Sequence, residues 1–176
     1  MKFLLFVCAI FGLGVKAAFA SEPIEGAFGQ KFGDVFDIEK AISKGALTSG
    51  TPMYEFKPDK GFRSFSRYFV LVTPATHKIY SIWGLGKVPN KETGAQEQSL
   101  VMQLLSEKYG DIDKADPMDA FNNIKHITKG SRYVLTKIDG VMDFSIEIRY
   151  VDQELEKLAE KERLVIEAKK VDASGL

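Results

Sequence analysis

Between Phe144 and Val151, apolar Phe144, Ile146, Ile148 and Tyr150 take turns with Ser145, Glu147, Arg149 and Val151. A period of two belongs to a strand with one face buried and the other mostly wet. Ser131–Ile138 has the same β-branched and aromatic character, and Asp139-Gly140 supplies a turn between the two runs. The pair predicts an antiparallel hairpin. A second hairpin is predicted from Arg67–Thr73 and Lys78–Gly84, joined by Pro74-Ala75-Thr76-His77, because both runs are rich in residues that suit a pleated surface. Tyr54–Lys57 alternates as well and predicts a short strand ended by Pro58.

Helical spacing marks three other stretches. Val35, Ile38, Ala41 and Ile42 predict a helix over Asp34–Lys44, with Asp34 at its start and Gly45 past its end. Leu100, Val101, Leu104, Leu105 and Lys108 mark one face of a second helix. Thr93 and Gln96 have capping-box spacing ahead of it, and Gly110 stands where a terminating glycine belongs. Asp116-Pro117 predicts one further short turn of helix. The third long helix covers Asp152–Lys170 with a narrow stripe of Leu155, Leu158, Ala159, Val165 and Ile166, the rest being mostly Glu and Lys. Asp172–Leu176 is expected to fray.

Consecutive strands joined by hairpin turns, with helices before, between and after, predict an α+β fold. The expected architecture is an antiparallel sheet of about five strands, built from two hairpins, with the helices packed on one face as a two-layer sandwich. Regular strand–helix alternation, which a doubly wound parallel sheet needs, is missing.

The apolar run from Phe3 to Val15 follows a short basic start at Met1-Lys2 and precedes Ala18-Phe19-Ala20. It is too short to remain in a bilayer, and the small-x-small ending is what signal peptidase reads. Residues 1–20 are therefore expected to be a signal peptide cleaved after Ala20. Residues 21–176 form the expected single domain, placed in a periplasm or secreted, without a transmembrane anchor. Such a length buries roughly two thirds of its unfolded surface. Cys8, the lone cysteine, lies in the segment to be removed, and Val7 before it does not suit a lipoprotein acylation site. The mature chain thus has no disulfide, thiol nucleophile or thiolate metal ligand. Cleavage also takes Lys2 and Lys16 from a balance of 24 basic and 24 acidic residues. A slightly acidic chain gives no reason to expect a nucleic-acid partner.

No motif nominates catalysis. His77 falls in a predicted turn and His126 near the rim of a strand, without the spacing of a metal site. Asp111–Asp116 opens like a calcium loop, but Asp116 stands where glycine is needed and Asn122 where a bidentate glutamate is needed. Gly26, Gly29 and Gly33 lack the rest of a phosphate-binding signature. No G-x-S-x-G elbow occurs. No catalytic residue, cofactor or metal is predicted. The segment Phe56–Phe69 interleaves aromatics with basic groups, and its Pro58 and Gly61 make part of it a loop. Lys60, Phe62, Arg63, Phe65 and Arg67 are accordingly the candidate binding residues, since aromatics beside cations grip proteins, anions or sugars. The competing expectation is that Phe62 and Phe65 close the end of the core. Trp83, on a strand, is expected in the core.

Three stretches, Gly26–Gly33, Tyr68–Trp83 and Ile146–Leu176, together resemble a group of small exported proteins of Gram-negative bacteria whose function is uncharacterised. The resemblance implies export and a single domain, and carries no catalytic residue. The expected function is a non-enzymatic periplasmic module that binds an envelope protein or a small ligand. Its rivals are a cofactor-free hydrolase using scattered carboxylates and an envelope component that self-associates through its terminal helix.

Overall fold

The computed structural model describes residues 21–174, with side chains through Lys170; the expected signal peptide lies outside the described residues. The chain enters through a miniature hairpin, β1 (Gly26–Ala27) and β2 (Gln30–Lys31). Strands β3 (Ser43–Ala46), β4 (Pro52–Phe56), β5 (Phe65–Val72) and β6 (Ile79–Val88) follow as an antiparallel meander. Then come helix α1 (Lys91–Tyr109), helix α2 (Pro117–Phe121), strands β7 (Ile124–Lys129), β8 (Arg132–Asp139) and β9 (Phe144–Asp152), and helix α3 (Gln153–Ser174). The large sheet has seven strands in the order β3-β4-β5-β6-β9-β8-β7, every neighbouring pair antiparallel. The fold is α+β. Both predicted hairpins are present, and β3 and β7 extend the sheet at its two edges.

One expected helix does not form. Over 34–44 the chain makes a bridge from Val35 to Lys78, a single 3-10 turn at Ile38–Lys40 and then β3. Three of the apolar residues that suggested a helix, Val35, Ile38 and Ile42, are β-branched, which costs helix propensity. Only Phe36 is driven deep into the core, against Tyr54 and Phe56, while Val35 and Ile42 remain exposed. The Ile42 N–H donates to the Glu55 carbonyl, so sheet pairing outcompetes the local pattern.

The helical stripe of α1 is also rotated from expectation. Asn90 caps the helix, its side chain accepting from the Thr93 N–H at 2.8 Å, in place of the Thr93–Gln96 box. The buried positions are Gly94, Gln98, Val101, Met102, Leu105 and Tyr109, and Leu100 and Leu104 stay exposed. Gly94 sets the approach: a Cβ there would lie 3.2 Å from both Ile138 and Val88. Gln98 satisfies the carbonyls of Asn123 and Thr136 at 2.7 and 3.1 Å, which is how a buried amide is tolerated.

The expected two-layer arrangement is corrected by where the long helices sit. Val70, Ile82, Ile148 and Tyr150 share one cluster with α1 residues Val101, Met102 and Leu105. Leu71 and Tyr80 instead cluster with Ala159 of α3, and with Trp83 and Leu155 at their margin. Neighbouring strand residues point to opposite faces, so α1 and α3 cover opposite sides of the sheet. A single-face arrangement would leave Leu71 and Tyr80 in water. Trp83 is half-buried under Arg149, whose guanidinium carbon lies 3.9 Å from the ring centroid.

Glu162 of α3 locks the β5–β6 turn. Its carboxylate accepts from the N–H groups of Ala75 and Thr76 at 2.7 and 3.2 Å and from the Thr76 hydroxyl at 2.7 Å. Burial alone would push this carboxyl up. The hydrogen bonds from Thr76 and Ala75 outweigh burial and hold it below its ordinary 4.5. A lowered folded-state value means stability that is present above the ordinary value and is lost as pH falls through the lowered one. Glu162→Gln should therefore cost about 1 kcal/mol near neutrality, and thermal melts at about pH 3 should separate the variant from its parent by less. An equal deficit at both pH values would show that the charge is not what holds the turn.

Candidate functional site

The loop between β4 and β5 does more than connect them. Tyr68, buried in the core, accepts a hydrogen bond from the Phe62 N–H at 2.8 Å and donates to the Phe65 carbonyl at 2.9 Å. One phenol thereby fixes Phe62 and Phe65, on either side of Arg63. Phe65 is buried and stacks on Phe62, with centroids 6.0 Å apart and planes within 3°. Phe62 is half-buried and its ring also meets Phe28 at 6.3 Å.

Two of the three candidate cations are engaged internally. Arg63 makes a bidentate pair with Glu97 of α1, both contacts at 2.8 Å, and the Ser64 hydroxyl joins the same carboxylate at 3.0 Å. The Arg63 hydrogen bonds, working against burial, hold the Glu97 carboxyl below its usual range. Arg67 pairs in the same way with Glu55, both contacts at 2.9 Å, and lies 4.9 Å from the Phe69 ring centroid. A guanidinium fork already filled by a carboxylate is not free for a ligand. Lys60 is exposed and Phe62 half-buried, and both line a groove that the sequence did not reveal as a unit.

That groove lies between the loop, the C-terminal half of α1 and the β1–β2 hairpin. Its volume is about 340 Å³, and its wall is made by Phe28, Phe62, Leu104, Leu105, Tyr109 and Tyr150, with Lys60 and Lys108 as its charged groups. It adjoins a second cavity of about 430 Å³ that shares Phe28, Lys108 and Tyr109 and is bounded by Glu22, Glu25 and Lys31. The back of the groove depends on the turn joining β1 and β2. Phe28 and Gly29 both take positive φ, 54° and 82°, the backbone of a tight hairpin turn. Phenylalanine is a costly choice at such a position. There its ring stands edge-on to Tyr68 at 4.8 Å and to Tyr150 at 5.9 Å.

The electrostatics of the wall are one-sided. Burial would lower the Lys108 ammonium, but Tyr109 and the Glu22 carboxylate, 3.5 Å away, outweigh it and hold the value above the ordinary one. Burial, with Tyr109 adding to it, pushes the Tyr150 phenol far up, so it stays a neutral donor. Tyr150 is only 5 % exposed. Among the described residues no carboxylate or imidazole lines this groove; its ionisable groups are the ammoniums of Lys60 and Lys108 and the phenols of Tyr109 and Tyr150. Among the described residues, no group of three or more His, Cys, Asp or Glu is placed to hold a metal ion.

The remaining residues singled out by sequence have other surroundings. His77 is half-buried in the β5–β6 turn with φ of 54°. His126, on the edge strand β7, has Asp113 at 3.3 Å on one ring nitrogen and Asp119 at 3.4 Å on the other. Asp116 caps α2 through the Asp119 N–H. Glu156 has a carboxyl raised by desolvation, with Glu160 adding and Arg149 opposing, yet the residue is exposed on α3. No helix among the described residues is long and apolar enough to cross a membrane. No family model matches this chain, and no curated protein or solved structure matches it.

Proposed function

We propose that this protein is an exported binding module of the bacterial envelope that holds its ligand in the groove beside Phe62. The observation that carries the reading is the makeup of the groove wall: aromatic and aliphatic surface with two ammonium groups and, among the described residues, no carboxylate or imidazole. Ligand sites are concave, mostly apolar and fitted with a few polar groups that orient the occupant. Export is supported by the basic start, the apolar run Phe3–Val15 and the Ala18-Phe19-Ala20 ending, together with the resemblance to exported proteins. Cleavage after Ala20 would keep the first described contacts, from Lys129 to the Ser21 hydroxyl and from the Glu22 N–H to the Lys108 carbonyl.

Native mass spectrometry of the protein recovered from periplasm tests both halves. The expected result is a chain beginning at Ser21 that carries a non-covalent adduct, with the adduct reduced at least tenfold in a Lys60→Ala, Phe62→Ala double variant. An intact chain confined to the cytoplasm would remove the export half. An adduct indifferent to the substitutions, or no adduct in either form, would remove the groove.

A further inference from the structure

Resting on that reading of the groove, we infer its ligand class: a small apolar monocarboxylate, its tail between Phe28, Phe62 and Leu104 and its head beside Lys60, Lys108 and the phenols. Size comes first. A groove of about 340 Å³ is near the lower limit of small-molecule sites, which suits one short tail and one head group.

Sign comes second. Lys60 and Lys108 are the charged side chains of the wall, and among the described residues no acid lines it. Lys108 already has the Glu22 carboxylate at 3.5 Å, so an anion would meet Lys60 and share Lys108 with Glu22, whereas a ligand amine would be repelled by Lys60. The head group is a simple one because the nearby guanidinium fork, on Arg63, is filled by Glu97. Lysine ammoniums act as point charges and do not demand the bidentate geometry that a fork suits.

Third, Tyr150, only 5 % exposed, lines the wall of the groove, and its phenol can donate to a carboxylate oxygen. Fourth, Phe28 is held at φ 54°, a conformation that costs a bulky residue on the order of 1–3 kcal/mol and gathers at binding sites. Without that turn its ring would leave the back of the groove.

Octanoate, 1-octanol and octylamine share one tail and differ in head charge, so their titration into the purified protein by calorimetry tests the inference. Octanoate should bind at least tenfold more tightly than either of the others. Leu104→Trp, at an exposed helix position that leaves the core untouched, should abolish binding by filling the groove while the circular dichroism spectrum is unchanged. Lys60→Ala with Lys108→Ala should bring octanoate down to the level of octanol. Equal binding of octanoate and octanol by the parent protein would overturn the ligand class. So would failure of all three probes in a protein whose periplasmic adduct still depends on Phe62, and in that case the binding-module reading survives. Failure of the probes together with absence of any adduct would remove both.

Discussion

Gly86→Ala should cost about 3 kcal/mol of stability, the upper range for forcing atoms into a packed site, or roughly 6–12 °C in Tm for a domain of this size. Gly86 lies in β6 opposite Phe65, where the β5–β6 register shifts between Phe65 and Arg67. A Cβ at this position would stand 2.3 Å from the Ser64 carbonyl oxygen and 2.9 Å from its carbon. The obstacle is backbone, which cannot rotate aside as a side chain does. The β4–β5 loop must therefore lift, taking Phe62 and Arg63 with it, so ligand affinity should fall along with stability. Gly84→Ala is the control. Its nearest neighbours are the Ile148 methyl at 2.9 Å and the Phe65 ring at 3.3 Å, both side chains, and about 1 kcal/mol is expected. Urea midpoints and the amide shifts of Phe62–Ser64 check both. Equal midpoints for the two variants would mean that the loop is not seated on this strand.

The dependence of that loop on a distant glycine illustrates what the chain reveals in one dimension. The strict alternation of Phe144–Tyr150 and the β-rich runs around Pro74 were legible, because burial of one sheet face imposes a period of two on sequence. The 34–44 segment misled because its spacing suits a helix, while its fate is decided by the Glu55 carbonyl that captures Ile42. Edge strands β3 and β7 were hidden for a related reason. All of β3 is exposed, and β7 buries only Ile127, so neither carries a clean alternation. At the site, Lys60 and Phe62 were legible as an aromatic beside a cation. The neutralisation of Arg63 by Glu97 and of Arg67 by Glu55 was not, since the partners are 34 and 12 residues away. Leu104 was hidden because the spacing reads it as part of the buried stripe of α1; with Leu100 it lies on the exposed flank, and only the fold sets Leu104, and not Leu100, at the groove.

Asp152→Ala should be the most damaging single change at a polar residue, at about 3–4 kcal/mol. Asp152 ends β9 and is 5 % exposed. One carboxylate oxygen accepts from the N–H groups of Glu154 and Leu155, both at 3.1 Å, and so caps α3; losing such a cap costs about 1 kcal/mol. The other accepts from Arg132 Nε at 2.7 Å. Arg132 in turn reaches the Ile24 carbonyl at 3.1 Å and lies 5.3 Å from the Phe32 ring centroid. It thus ties the entry segment before β1 and after β2 to the sheet. Removing the acid leaves that guanidinium half-buried without its counter-charge, which adds about 3 kcal/mol when a pair is well buried and less here, where Arg132 keeps 34 % of its side chain exposed. Arg132→Ala alone should cost less than Asp152→Ala, because the α3 cap remains. The double variant should be less damaging than the sum of the two, by about 1–2 kcal/mol of coupling. Chemical denaturation of the four proteins measures this cycle. Strict additivity would show that Asp152 acts on α3 alone, and the entry segment, with Phe28 and the back of the groove, would then owe its position to apolar packing.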